Sequence, residues 1–377
     1  MKTVSSQAKQ RRTLRKYFLS FTALLVILYG TFRLILKDTS LEEIRASLRG
    51  ADLAWVGLGF ALMISYQLIW AEIIRSLLYH LNAGRAPFRI AVNTAFTGFY
   101  FNNITPSSSG GQPMQMLYLH RCGIDLAGSS IIFLSNTIFN NLVMISYATV
   151  LLIVQHDFIT QNLYAMRYAL IVGYIFNGFL LFLNIFLLFF PKQLRALSYK
   201  ILAWVTRGKL KPKAKKLQHS LDKFLGSYSA GAFSLLKAPG LLLKLFLLHV
   251  IQFALYNLIP YTAARALGAS PDILIQSFSL QAVLTLAVSG FPTPGAVGIT
   301  EGGFVAMFSG LFPPGKVEST MILTRVINFY AFLLLSALIT IFAFATARKD
   351  HARMQKLHHI NLIESAPNES ETETDKL

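Results

Sequence analysis

Two charged side chains stand where hydrocarbon is expected. Glu301 lies in "SGFPTPGAVGITEGGF" (residues 289–304), and Arg325 lies in "ILTRVINFY" near the start of the last apolar run. An ionised group at membrane depth is costly and must pair or face a wet cavity. Two readings are open to this pair. It is a static salt bridge that holds helices together, or a polar site for a charged lipid head. In the second reading Arg325 holds a phosphate, which suits its fork of donors, and Glu301 holds an amine or exchanges a proton. Neutral polar residues accompany them. Asn102, Asn103, Thr105, Gln112 and Gln115 fall in "FNNITPSSSGGQPMQMLYLHR" (101–121), and Thr293 and Thr300 flank Glu301. Asn136, Asn140 and Asn141 follow in the next apolar run, with Asn136 and Asn140 on one helical face. These amides either line a neutral polar groove or bond between helices, at about 0.6 kcal/mol each.

Other chemistry leaves no trace in the sequence. There is one cysteine, Cys122, so no internal disulfide forms, and the histidines His80, His120 and His249 are scattered. No paired-cysteine or H-x-x-x-H pattern occurs, so no metal site is expected. No Walker loop or G-x-S-x-G elbow occurs either. We expect no catalytic residue and no cofactor. Glu72 and Arg75 read as a pair at the inner rim of a span, and Lys244 as a residue that snorkels to the same surface.

The elements that carry these residues are membrane helices. The chain is 54% hydrophobic and only 14% charged, against roughly 25% charged in soluble domains. Its mean hydropathy is +0.51. Apolar spans are expected at 17–36, 53–79, 128–154, 164–190, 239–260, 273–289 and 321–346, each near the roughly 20 residues a crossing needs. The fold class is therefore an all-α polytopic membrane protein with about seven full spans. The net charge of +18 sits in blocks beside the spans: residues 9–16, 192–223 and 347–356. That is a positive-inside pattern, and it argues against a nucleic-acid partner. Residues 1–16 read as a basic cytoplasmic N-terminus. Segment 192–237 reads as a cytoplasmic basic amphipathic helix or an ordinary basic loop. Residues 347–377 read as a cytoplasmic tail, disordered at its acidic end. The membrane domain is 17–346.

Two further segments, 89–119 and 291–312, are apolar but broken. Each holds a Thr-Pro pair, Thr105-Pro106 and Thr293-Pro294, ahead of a glycine pair, Gly110-Gly111 and Gly302-Gly303. The residue before a proline is pushed out of helical conformation. Pro292, Gly295 and Gly298 add further breaks to the second segment. Non-helical backbone at membrane depth is tolerated only inside protein or along a wet cavity. The two segments are either an internal pseudo-repeat of the transporter kind or kinks that let helices pack. The spacing from proline to glycine pair differs between them, four residues against eight. Counting sides from the charge pattern, 291–312 has to deliver the chain to the outer face. It either crosses as a broken helix or starts from a turn made in mid-membrane.

"FNNITPSSSGGQPMQMLYL" and "SGFPTPGAVGITEGGFVAMF" resemble the two signature regions of the lysylphosphatidylglycerol synthase transmembrane region. This is the flippase-like membrane module of the multiple peptide resistance factors, and the resemblance covers residues 12–346. It implies a stand-alone module without the cytoplasmic aminoacyl-transfer domain. Its expected role is to move a lipid or lipid-linked headgroup, aminoacylated phosphatidylglycerol-like or glycolipid, between leaflets of the bacterial cell membrane. By resemblance the motif residues Asn102, Asn103, Thr105, Pro106, Gly110, Gly111, Pro292, Pro294, Gly295, Gly298, Glu301, Gly302 and Gly303 shape a headgroup cavity. Many relatives carry an acidic residue after the first glycine pair, where this chain has Gln112. The implied partners are a membrane phospholipid or glycolipid and a separate synthase or a second copy. A lipid-modifying transferase and a non-transporting partner in envelope assembly are the competing readings.

Overall fold

The computed structural model describes residues 42, 46, 48–81, 87–205, 214–312 and 316–364. The span expected at 17–36, the basic residues 1–16 and the acidic end of the tail lie outside the described residues. Every described element is helical: α1 (Leu53–Leu81), α2 (Phe88–Ile104), α3 (Gly111–Arg121), α4 (Leu126–Val154), α5 (His156–Asn162), α6 (Arg167–Phe189), α7 (Pro191–Val205), α8 (Ala214–Leu236), α9 (Pro239–Asn257), α10 (Ile259–Ala266), α11 (Leu274–Val288), α12 (Ile299–Phe308), α13 (Lys316–Arg325) and α14 (Ala331–Glu364). Among the described residues, six helical stretches are long and apolar enough to cross a membrane: 53–81, 126–154, 164–189, 239–266, 271–288 and 316–352. The protein is an all-α polytopic membrane protein.

The first broken segment is a hairpin that enters and leaves on one side, and the second, 291–312, is the turn and return arm of a hairpin whose first arm is the stretch expected as a full span at 273–289. Arg89, at the start of α2, bonds Thr346 at 2.9 Å and lies 3.8 Å from Asp350. Arg121, at the end of α3, stacks on Phe344. Both ends of the first hairpin therefore sit at the same end of the bundle, beside residues 344–350 of α14. The second hairpin runs from the opposite end. Tyr261 bonds the Pro271 carbonyl, and Lys316 bonds the Leu267 carbonyl at 3.2 Å. A Cβ at Gly310 would meet Asn162 of α5. Residues 271 and 310 thus share one end. The ten residues of α12 reach only about 15 Å, half a hydrocarbon core, so the turn between α11 and α12 is made in mid-membrane.

The two halves repeat this plan with inverted topology: a long helix (α1; α9–α10), a hairpin (α2–α3; α11–α12), and a long helix (α4; α13–α14). Separate apolar cores sit around the two hairpins, one with Ile73, Ile90, Tyr118 and Ile131, the other with Met166, Val283, Leu286, Phe304 and Met321. Between the halves, α8 lies against α4 and buries Leu225, Tyr228, Ala232 and Leu235. The basic segment expected over 192–237 is thus two helices, α7 and α8.

Candidate functional site

The hairpin tips have the same backbone. Thr105 (φ −119°, ψ 145°) and Thr293 (φ −90°, ψ 143°) are both extended, as a residue before proline must be. Two left-handed residues follow each proline: Ser107 (φ 51°) and Ser108 (φ 54°), then Gly295 (φ 60°) and Ala296 (φ 50°). Matching hydrogen bonds close both turns, from Ser108 and Ser109 to Thr105 and Pro106, and from Ala296 and Val297 to Thr293 and Pro294. Each return helix starts six residues after its threonine, at Gly111 and at Ile299. The structural counterpart of Gly110-Gly111 is therefore Gly298-Ile299. The pair Gly302-Gly303 lies a turn further on, which is why the two spacings from proline disagree.

The tips meet. Phe101 and Ile104 from the first hairpin pack with Val297 from the second and with Phe329 and Leu333. Beside this contact opens a cavity of about 440 Å³, within the size range of small-molecule sites. Among the described residues its wall carries seven asparagines and four glutamines but no carboxylate. Asn102, Asn103, Gln112 and Gln115 come from the first hairpin, and Asn136, Asn140 and Asn141 from α4. Asn177, Gln252, Gln281 and Asn328 come from α6, α9, α11 and the last span. The last span holds a one-turn π-helix, Val326–Tyr330, a device frequent at functional sites. Tyr66, Trp70, Phe99 and Phe176 supply aromatic faces.

Several wall amides are held in place. Gln112 donates to Thr137 at 2.7 Å, Gln115 to the Thr94 carbonyl at 3.0 Å, and Asn103 to the Phe99 carbonyl at 2.8 Å. Close packing of α2 on α3 makes room for two of them. A Cβ at Gly111 would be driven into the Asn102 amide, and one at Gly98 into Gln115. Other wall atoms have no partner: Asn136 Oδ1, Asn141 Nδ2, Thr293 Oγ1 and Asn328 Oδ1.

Arg325 is the one cation on the wall among the described residues. Its Nε donates to Glu301 Oε1 at 2.7 Å, and Nη2 reaches the Gly295 carbonyl at 3.4 Å. Its guanidinium lies 4.1 Å from the Phe329 ring centroid. Glu301 is 1% exposed and Arg325 5% exposed. The second Glu301 oxygen accepts the Gly298 N–H at 2.7 Å, three residues upstream at the start of α12. One carboxylate thus caps the return helix and pins the arginine. Gly298 has φ 93°, a conformation that glycine tolerates.

Among the residues singled out from sequence, Asn102, Asn103, Gln112, Gln115, Thr293, Thr300 and Arg325 stand on the cavity wall. Thr105 and Glu301 stand behind it. Thr105 ties the first tip, donating to Phe101 at 2.6 Å and accepting from Gly110 at 2.9 Å. Glu72 pairs with Arg75 at 3.2 Å and with Lys244 at 2.9 Å, at the end of the bundle away from residues 271 and 310. Asn177, Gln252, Gln281 and Asn328 were not singled out. Their signal is an amide inside an apolar run. Asn184, outside the cavity, shows the same signal and only bonds the Leu180 carbonyl. No group of three metal-ligating side chains occurs among the described residues.

Residues 18–336 match the family described as the lysylphosphatidylglycerol synthase TM region. The chain is also 24% identical over 309 residues to a UPF0104 membrane protein of Archaeoglobus fulgidus, covering 81% of this chain and 91% of that protein.

Proposed function

The chain belongs to the lysylphosphatidylglycerol synthase transmembrane-region family, and on that premise we propose that it moves a membrane lipid from one leaflet to the other. The headgroup crosses through the cavity where the two hairpin tips meet, and the acyl tails stay in the surrounding lipid. The observation that carries this reading is the amide-lined cavity of about 440 Å³ inside an apolar bundle. A polar wall of this size is costly in hydrocarbon unless polar matter occupies it. Hairpins with inverted topology and unwound tips supply backbone and side-chain groups for such a site.

The parts take separate roles in this reading. Arg325, stacked on Phe329 and held by Glu301, offers its remaining N–H groups to a lipid phosphate. Asn102, Asn103, Gln112, Gln115, Thr293 and Thr300 hydrogen-bond the head. Thr105, Pro106, Gly110, Gly111, Pro292, Pro294, Gly295, Gly298, Gly302 and Gly303 shape the tips and the helices that carry them. The headgroup is that of an aminoacylated phosphatidylglycerol or of a glycolipid. The lipid is supplied by a separate synthase, and the protein works alone or as a homo-oligomer. The end of the bundle with Arg75, Arg89, Arg121 and Lys244 faces the cytoplasm by the positive-inside rule. Both termini lie on that side of the cell membrane.

The family match is to a membrane region, and the Glu301 carboxylate near the tips has both oxygens engaged. Transport without chemical change is the reading these facts favour. The test is a leaflet assay. Labelled lipid reconstituted with the protein should become accessible on the far side of proteoliposomes with its structure unchanged. Arg325→Ala should slow this at least tenfold. Conversion of the lipid in the presence of aminoacyl-tRNA, or an unchanged rate in Arg325→Ala, would refute the assignment.

A further inference from the structure

We infer that the cavity selects a headgroup rich in hydroxyls and free of cationic groups, a sugar or polyol and not an amine-bearing head. The inference rests on the lipid-translocation reading for its biological meaning, but its chemistry is set by the wall. Asn141 is 4% exposed and Asn328 5% exposed; both residues line the cavity, and each has a buried polar atom without a hydrogen-bond partner, Nδ2 in one and Oδ1 in the other. Asn136 Oδ1 and Thr293 Oγ1, on the same wall, are buried and unpartnered as well. The unpartnered set on this wall therefore contains both donors and acceptors. A carboxamide offers one of each whichever way its oxygen and nitrogen are assigned. A hydroxyl both donates and accepts, so a polyol can satisfy such a set completely. An ammonium group only donates, and it leaves the vacant donors unsatisfied.

Charge points the same way. No carboxylate stands on the described wall. Glu301 lies behind it with one oxygen on Arg325 and the other on Gly298. An ammonium entering the cavity meets no carboxylate on the described wall and shares the space with the Arg325 guanidinium. Burying an unpaired charge is far more costly than burying hydroxyls that find partners. Trp70 and Tyr66 add flat faces of the kind that cover the C–H face of a sugar ring.

The experiment uses the full chain in detergent, with Trp55→Phe and Trp204→Phe so that Trp70 reports from the cavity. The probes are two short-chain phospholipids with the same tails and the same phosphate, one with a glucosyl head and one with a lysylphosphatidylglycerol head. The glucosyl lipid should bind at least tenfold tighter. Asn141→Leu should weaken it about tenfold, the value of roughly one lost hydrogen bond. Asn141→Asp should raise the affinity for the lysyl head at least tenfold, a gain that a misfolded variant cannot show. Equal or tighter binding of the lysyl lipid to the parent, or binding of neither, overturns the inference. Long-chain versions in the proteoliposome assay separate the two claims. Selective binding without movement supports the head selectivity and refutes translocation. Movement of the lysyl lipid as fast as the glucosyl lipid refutes the selectivity and supports translocation.

Discussion

Replacing Glu301 by Gln tests whether the carboxylate is a latch or a carrier. The side chain keeps its shape, and its amide oxygen can still accept the Gly298 N–H, which now lies 2.7 Å from Oε2. What disappears is the charge opposite Arg325, whose Nε lies 2.7 Å from Oε1 in a site 5% exposed. Breaking a buried pair from one side costs about 3–5 kcal/mol, because a buried charge is left uncompensated. At about 1.4 kcal/mol per factor of ten, even the lower figure shifts the folded-to-unfolded ratio on the order of a hundredfold. Removing both charges, in Glu301→Gln/Arg325→Met, should restore most of that stability, since an apolar replacement of a whole pair is often neutral or better. Stability is read by denaturant titration of the purified protein, and lipid movement by the leaflet assay. A latch gives an unstable single variant and a stable double variant that still moves lipid slowly, because Arg325 is gone from the wall. A single variant within about 0.5 kcal/mol of the parent, or a double variant as unstable as the single one, refutes the reasoning.

Gly302→Ala should be neutral or stabilising by about 0.5–1 kcal/mol, since no heavy atom lies within 4 Å of its Cβ position and alanine favours the helix. Gly173→Ala should destabilise by about 1–3 kcal/mol, because its Cβ is driven into the Leu286 backbone carbonyl where α6 crosses α11; thermal unfolding of the two variants checks both. Cys122 is buried, and burial pushes its thiol up to about 12. Maleimide labelling of the folded protein should therefore stay slow from pH 7 to pH 9 and become fast on unfolding. Tyr118→Phe should cost about 1–3 kcal/mol, because the hydroxyl takes a bond from Asn93 at 2.9 Å and gives one to the buried Asp350 at 3.1 Å. The loss should show as a lower thermal midpoint.

Much of this fold is legible in the chain because hydrocarbon imposes so few solutions. Runs of some 20 apolar residues must be helices, and their length and charge borders read directly. Thr105-Pro106 and Thr293-Pro294 are equally legible, since proline restricts the residue before it whatever the surroundings. The hairpins as whole objects are less so. The stretch at 271–288 has the length of a span, and only its return partner α12 shows that it is one arm of a hairpin. The glycine pairs mislead, because a glycine can serve a turn or a close contact. Gly111 serves contact with Asn102, whereas Gly302 has open space where its side chain would be. For the site, a polar type inside an apolar run is visible, but its direction is not. Asn177 faces the cavity and Asn184 does not, although the two are seven residues apart on one helix. The double engagement of Glu301 depends on a partner 24 residues away, which the spacing alone cannot place.

The matched tips also explain why one of them needs glycine and the other does not. Ser107 and Gly295 occupy the same left-handed position after proline. At Ser107 the side chain is exposed to the cavity, so the turn bears a serine at the modest cost of its dihedral angles. At Gly295 a Cβ would be driven into the Phe329 ring and would sit 3.3 Å from the Asn103 carbonyl. That ring is where it is because Arg325 stacks on it, and Arg325 is where it is because Glu301 holds it. Glu301 in turn starts the helix that leaves the second tip. The chain of contacts from α12 through Arg325 and Phe329 to Gly295 therefore anchors the second tip on the last span. The first tip has Thr105 as its side-chain tie and leaves Pro106–Ser109 exposed. Two turns of one backbone form thus differ in what surrounds them. One is braced by a buried ion pair, and the other presents its backbone and hydroxyls to the cavity.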